Sequence, residues 1–363
     1  MNMMKINMVV FLVTLLSTWG RIATAADNGV TPLIDPLQRP AQISAQAQRA
    51  VMLAAVHAGD HLVAAGERGI ILWSADNGAS WTQAVVPVSV TLTALSFPTA
   101  EHGWAVGHGG VVLHTKNGGR SWERQLDGRA LAQIELDSAR RKGDENRIKM
   151  AQQLVGHGPD KPLLGVHFWD ERRGFAIGAY GLIVGTEDGG ASWQSWIDRV
   201  DNPRGLHLNA LYATRSEVYL AGEQGIILRS SDGAKTFRQI SSPYKGSWFV
   251  LAGHDGYLLV GGLRGNAFRS PDGGATWEAL QASAPVTLTS AVLTKDGKIL
   301  IGNLAGMLMQ ISGNGLRLAS IPSPIGQPIT AMVQAKNGSL LAATFTGLKS
   351  LVHSDATGVA SGR

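Results

Sequence analysis

Short apolar runs separated by glycine-rich polar turns fill most of this chain, and helical spacing is absent from them. One set reads Thr93-Ala94-Leu95-Ser96-Phe97, a turn from Pro98 to His102, Gly103-Trp104-Ala105-Val106-Gly107, a tight turn at His108-Gly109, then Val111-Val112-Leu113-His114. Read as strands, these are A, B and C of one antiparallel unit. A polar octapeptide follows, and a fourth strand, D, opens at Trp122. Comparable sets run from Val51 to Val352.

The octapeptide supplies the period. Its pattern is S/T-x-D-x-G-x-S/T-W. It occurs at Ser74 to Trp81 around Asp76, at Thr186 to Trp193 around Asp188, and at Ser270 to Trp277 around Asp272. Softened copies replace Asp by Asn117 before Trp122, and Trp by Phe237 after Asp232. An Asp or Asn side chain here is expected to bond backbone N–H groups two residues ahead, and the glycine two positions later takes a positive φ cheaply. Trp81, Trp122, Trp193 and Trp277 are expected in the core, where a large ring can pack on a neighbouring sheet. Successive aromatic positions lie 41, 71, 44 and 40 residues apart. A repeat of about 40 residues with four short strands is the signature of a β-propeller.

Two weaker sets follow. Thr289 to Ile311 ends in a decayed box, Ser312-Gly313-Asn314-Gly315-Leu316, and Thr330 to Val352 has none. The expected fold is all-β: a seven-bladed propeller of four-stranded antiparallel blades over residues 51–354, with six or eight blades as alternatives. Residues 26–50 read as an extended lead-in, expected to close the ring by pairing near Ala41 to Arg49 with the last blade. Residues 355–363 read as a flexible tail. The single long gap holds an insertion, 128–161, whose dense charges and lack of proline from Ala130 to Val155 predict one helix broken near Gly143 or a helical hairpin.

Composition adds bounds. The chain has 363 residues, no cysteine, 16% charged residues and a formal net charge of +5. No disulfide can form, and the mild charge with no nucleic-acid motif argues against a nucleic-acid partner. Lys5, the apolar run Met8 to Leu16 and Ala23-Thr24-Ala25 read as a cleaved signal peptide over residues 1–25, so a periplasmic or lumenal monomer is expected.

The unit G-W-A-V-G or G-F-A-I-G, followed by G-x-x-G, three apolar residues and the box, resembles the photosystem II stability/assembly factor family of BNR (Asp-box) propellers, within the sialidase-like propeller superfamily. The resemblance covers about residues 51–350. It implies an exported scaffold that binds a membrane-protein complex or its assembly intermediate, and no catalysis. The chain departs from the family in lacking the lipobox cysteine of some members and in carrying the charged insertion.

Blade topology puts the B–C turns and D–A linkers on one face and the boxes on the other. The central residues of the B–C turns vary between blades, so Glu67, Arg68, His108, Tyr180, Glu223, Gln224 and Arg264 form the candidate partner-binding mouth, joined by the linker residue Arg204. Linker residues Arg199, Tyr244 and Lys245 lie near it. Arg140, Arg141, Lys142 and Arg147 make the insertion a candidate docking arm. Asp76, Asn117, Asp188, Asp232 and Asp272 are expected to be structural, and no metal or cofactor is expected. The alternative is a carbohydrate-binding or glycoside-hydrolase propeller. A sialidase needs an Arg triad, into which Arg68, Arg204 and Arg264 fit only loosely, and a Tyr–Glu pair that Tyr180 and Tyr244 lack. Another glycosidase could draw on Glu67 and Glu223 as paired carboxylates.

Overall fold

Each predicted set of strands forms an antiparallel sheet in the computed structural model, which describes residues 34–351 apart from 313–314 and 323–324. The signal-peptide segment, the first part of the lead-in, two residues of the decayed box and the tail lie outside the described residues.

Strands A to D of blade 1 are Met52–Ala58, His61–Gly66, Ile71–Ser74 and Thr82–Gln83. Blade 2 has Leu92–Ser96, Gly103–Gly107, Val112–Thr115 and Glu123–Leu126. Blade 3 has Leu163–Phe168, Gly174–Gly178, Ile183–Thr186 and Gln194–Ser195. Strands A of blades 4, 5, 6 and 7 are Leu208–Ala213, Trp248–His254, Leu288–Leu293 and Ile329–Gln334. Strand B is buried along its whole length in blades 2, 3, 4, 6 and 7, which explains its unbroken apolar run: neighbouring blades cover both of its faces.

Strand A of every blade packs on strand A of the next, and blade 7 returns to blade 1, so the ring is closed. Side chains tie these inner strands together: Thr93 Oγ1 donates to Leu163 O at 2.7 Å, Asn209 Nδ2 to Trp248 O at 3.0 Å and Thr330 Oγ1 to Met52 O at 2.6 Å. Between blades 7 and 1, Val333, Leu341 and Ala343 share a core with Met52, Ala55 and Leu62.

The closure differs from the expected strand pairing. Among the described residues blade 7 has three strands, the last being Gly347–Leu351. The described part of the lead-in, residues 34–50, makes no strand there. Ser44 begins a local turn, its Oγ accepting from Gln46 N at 3.1 Å, and Ala47–Arg49 forms one 3₁₀ turn that packs on the last strand. Its backbone is drawn to blade 1 instead: Ala41 N donates to Val86 O at 3.0 Å and Ser44 N to Gln83 Oε1 at 2.9 Å. Leu37, 2% exposed, seats in the core that blades 1 and 2 share.

The insertion is a hairpin of α1, Gly128–Lys142, and α2, Glu145–His157. Asp127 caps α1 by accepting from Arg129 N at 3.0 Å and Ala130 N at 3.2 Å, and Gly143 ends it at φ +67°. The two helices differ in how they are held. α1 buries Leu131, Ala132, Leu136 and Ala139, and Leu131 joins the core shared by blades 2 and 3. α2 buries only Ala151. The first helix of the candidate docking arm is therefore packed into the propeller core.

Candidate partner-binding face

The two faces of the ring separate as the strand order requires. On one, the box turn bonds the A–B turn of its own blade: Gly118 N to Glu101 O at 2.9 Å, Gly189 N to Arg172 O at 2.7 Å. On the other, the B–C turn bonds the residue just before strand A: Glu67 N to Val51 O at 2.9 Å, Glu223 N to His207 O at 2.9 Å.

The boxes are closed clasps. In blade 3, Asp188 Oδ1 accepts from Ser192 N at 2.9 Å and Oδ2 from Ser192 Oγ at 2.6 Å, while Thr186 Oγ1 accepts from Gly190 N at 2.9 Å. Asp76, Asp232 and Asp272 repeat this geometry. The carboxylate therefore reaches four residues ahead, not two, because the hydroxyl that closes the turn supplies the second donor. Asn117 replaces one acceptor by a donor, giving Nδ2 to Ser121 Oγ at 2.8 Å. Trp122 and Trp193 are buried and Trp81 and Trp277 half-buried.

These bonds hold the carboxyl groups of Asp76, Asp188 and Asp272 near a pKa of about 2, with the closing Ser or Thr hydroxyl as the main cause, and Asp232 lower still. His167 lies at the opposite extreme. It is on strand A of blade 3 between Trp169 and Phe175, with Nε2 enclosed and unbonded, and burial pushes its pKa down to about 4. Folded His167 stays neutral where the unfolded chain already takes up a proton, so its share of stability is lost as pH falls from about 6.5 to about 4. The box carboxylates act lower, from about 3.8 downward. Between pH 7 and 4.5, His167→Leu is expected to lose about 2 kcal/mol less than the parent chain in denaturant titrations. Equal losses would remove His167 as the cause.

On the opposite face the B–C turns of blades 1 to 5 share one backbone shape. Their second central residue is left-handed: Arg68 at φ +54°, Tyr180 at +57°, Gln224 at +52° and Arg264 at +57°, with Gly109 at +70° in blade 2. Glycine is the cheap residue for this shape. Arg68, Tyr180, Gln224 and Arg264 are all exposed there.

The first turn position behaves differently. Glu67 Oε1 accepts from Val51 N at 3.0 Å and Glu223 Oε2 from His207 N at 3.2 Å. Both carboxylates therefore clasp their own blade, which leaves little for a glycosidase pair. A signal existed: in both blades the Glu follows the residue it clasps by 16 positions. His108 is exposed on the turn of blade 2. Arg204 Nη1 donates to Gln224 Oε1 at 2.7 Å. Tyr180 meets His207, with ring centroids 4.9 Å apart, and Lys161 Nζ lies 5.1 Å from its ring.

The basic residues of the insertion are mostly engaged. Arg147 makes a bidentate pair with buried Glu135, Nε to Oε1 3.1 Å and Nη2 to Oε2 3.0 Å, and Ser195 Oγ also reaches Glu135. Lys142 Nζ lies 3.1 Å from Asp198 Oδ2 and Arg140 4.0 Å from Asp137. Arg141 is exposed. Sequence reasoning missed the space that this docking leaves: a cleft of about 670 Å³ between α2 and the turn and linker of blade 3, with Tyr180 on its edge.

Among the described residues, no helix is long and apolar enough to cross a membrane, and no group of three His, Cys, Asp or Glu side chains is placed to hold a metal ion.

A family model described as photosynthesis system II assembly factor YCF48 matches residues 74–162 and 150–299. The photosystem II assembly lipoprotein Ycf48 of Synechococcus sp. (strain CC9902) is 28% identical over 120 residues, 32% of this chain and 36% of that protein, so the alignment spans about a third of the relative. The solved structure titled YCF48 bound to D1 peptide superposes with a TM-score of 0.61 at 18% identity, over 86% of this chain and 96% of that one. YCF48 from Cyanidioschyzon merolae gives 0.62 at 11% identity, over 85% and 97%. At such identities the structures speak for the fold alone. The family match covers more than half of the chain, and the chain belongs to the YCF48 family of photosystem II assembly factors.

Proposed function

We propose that this protein is an exported, non-catalytic assembly factor. It holds an extended segment of a membrane-protein complex, or of its assembly intermediate, against the face that carries the B–C turns and the helical hairpin. The solved relative bound to a D1 peptide gives the ligand class: D1 itself, or the membrane protein that takes its place.

One observation carries this reading. Arg68, Tyr180, Gln224 and Arg264 occupy the same left-handed turn position in four blades, although a glycine would relieve the backbone there. Such strain persists where the side chain is used, at about 1 kcal/mol or more per site. Large, adaptable, cationic and aromatic side chains on one face suit a polypeptide ligand.

The test is the Arg68→Ala/Tyr180→Ala/Arg264→Ala variant, titrated with overlapping fluorescein-labelled peptides covering the D1 sequence. Binding is expected to weaken at least about tenfold while the melting temperature stays within about 2 °C. Unchanged binding with unchanged melting would overturn the proposal.

A further inference from the structure

The cleft under α2 is built and incompletely neutralised. Its helical wall runs from Asn146 to His157, about three turns or roughly 16 Å, the length of about five extended residues. The opposite wall is the blade 3 linker, including Val200 and Pro203. A Cβ added at Gly205 would lie 3.9 Å from Met150 Cε, so the methionine overhangs the linker. Met150 remains 56% exposed, although it faces the propeller. Methionine adapts well to irregular apolar partners.

The charges around the cleft are uneven. Arg147 pairs with Glu135, Lys142 with Asp198 and Lys161 with Asp160, and Asp144 caps α2. Arg199 and Arg238 remain. Arg199 is half-buried, its guanidinium 3.9 Å from the Trp196 ring, and its polar contact is with Ala234 O at 3.3 Å. No carboxylate among the described residues lies within salt-bridge distance of Arg199 or Arg238. Burial disfavours the charged form of Arg199, while Glu187, Asp198 and Asp232, beyond salt-bridge distance, favour it. Asp201 is the one acidic lining residue without a neutralising or capping role.

We propose that this cleft is a peptide clamp, which seats an apolar side chain of an acidic extended segment of the partner under Met150 and pairs the adjacent carboxylate with Arg199 and Arg238. It deepens the proposed function and rests on the reading that the chain holds a polypeptide. α2 is suited to adjust around the segment, because Gly143 and Gly158, which bound it, have open space where a Cβ would stand.

The experiment titrates the full chain with two fluorescein-labelled decapeptides, one alternating leucine with aspartate and one alternating leucine with lysine. The aspartate peptide is expected to bind at least about tenfold more tightly. Met150→Glu/Arg238→Glu, both at exposed positions, is expected to weaken it at least about tenfold with unchanged melting. Lys349→Ala, exposed on the last strand of blade 7 and outside both the cleft and the B–C turns, is expected to leave it unaffected. Equal binding of the two peptides, or no effect of the cleft variant, overturns the clamp. Citrate displacing the peptide at equal concentration would instead make the cleft a small-anion site, and a dimer in sedimentation that the cleft variant dissolves would make it a self-contact. If D1 peptides still respond to Arg68→Ala/Arg264→Ala when the clamp fails, the proposed function survives without it.

Discussion

Trp104→Ala is expected to lower stability by about 3–5 kcal/mol, the largest loss from any single side-chain truncation considered for this chain. Trp104 is fully buried in strand B of blade 2. Its ring stacks on Phe168 of blade 3 with centroids 3.6 Å apart and planes 6° from parallel, and on His114 at 4.4 Å. Its Nε1 donates to Gln125 Oε1 at 3.1 Å, and Gln125 Nε2 donates on to Gly189 O, in the box turn of blade 3, at 2.8 Å. One residue thus joins two blades by stacking and by a hydrogen-bond relay. Removing it opens a cavity between them and orphans an acceptor. Blades 2 and 3 form separate sheets with no backbone ladder between them, and the bonds that do join their inner strands, Thr93 Oγ1 to Leu163 O and Phe168 N to Ser96 Oγ, leave such a cavity unfilled. Urea unfolding followed by far-UV circular dichroism measures the effect. Trp104→Phe, which keeps the stack and loses the bond, should lose about 1–2 kcal/mol. An alanine variant within about 1 kcal/mol of the parent would show that the stack is not what joins the blades.

Local chemistry was legible in the sequence, and long-range docking was not. The box is a closed circuit of hydrogen bonds within seven residues, so it can be read wherever it occurs, and its period placed the blades and the insertion. Where the box decays the strands persist: blade 6 still forms strand D at Arg317–Ile321, which pairs in parallel with the last strand of blade 5 at Gln281 and Ala282. Leu37 carries no periodic signal, and its burial depends on the space beside Gly109, where an added Cβ would lie 2.9 Å from Leu37 Cδ2. Arg147 read as one charge of a basic cluster. Its role depends on Glu135 across a hairpin whose geometry Gly143 sets. The turn residues of the candidate face were legible as variable positions on one face. The backbone shape that gives them meaning was not, because nothing in an Arg or a Tyr announces a positive φ.

That shape leads to a paired expectation within a single turn, Gly262 to Gly265. Gly262 has extended backbone, so its necessity is steric: a Cβ there would lie 2.1 Å from Ser247 O and 3.1 Å from Trp248 Cα, both backbone atoms at the start of strand A. Neither can rotate away. Gly262→Ala must push strand A off strand B at the turn and stretch the bond from Leu263 N to Ser247 O, 3.1 Å in the parent, at a cost of about 3 kcal/mol. Two residues on, Arg264 stands at φ +57° with its side chain in solvent. Arg264→Gly relieves a left-handed penalty of about 1–2 kcal/mol and gives back about 0.4–1 kcal/mol through the greater freedom of the unfolded chain. Stability should therefore hold or rise by up to about 1.6 kcal/mol, while D1-peptide affinity falls. The four blades that place Arg68, Tyr180, Gln224 and Arg264 at this position would then be carrying side chains that their own fold disfavours, as expected of residues kept for a partner. If Arg264→Gly instead destabilises the chain by more than about 1 kcal/mol, the arginine supports the turn, and its place on this face says nothing about binding.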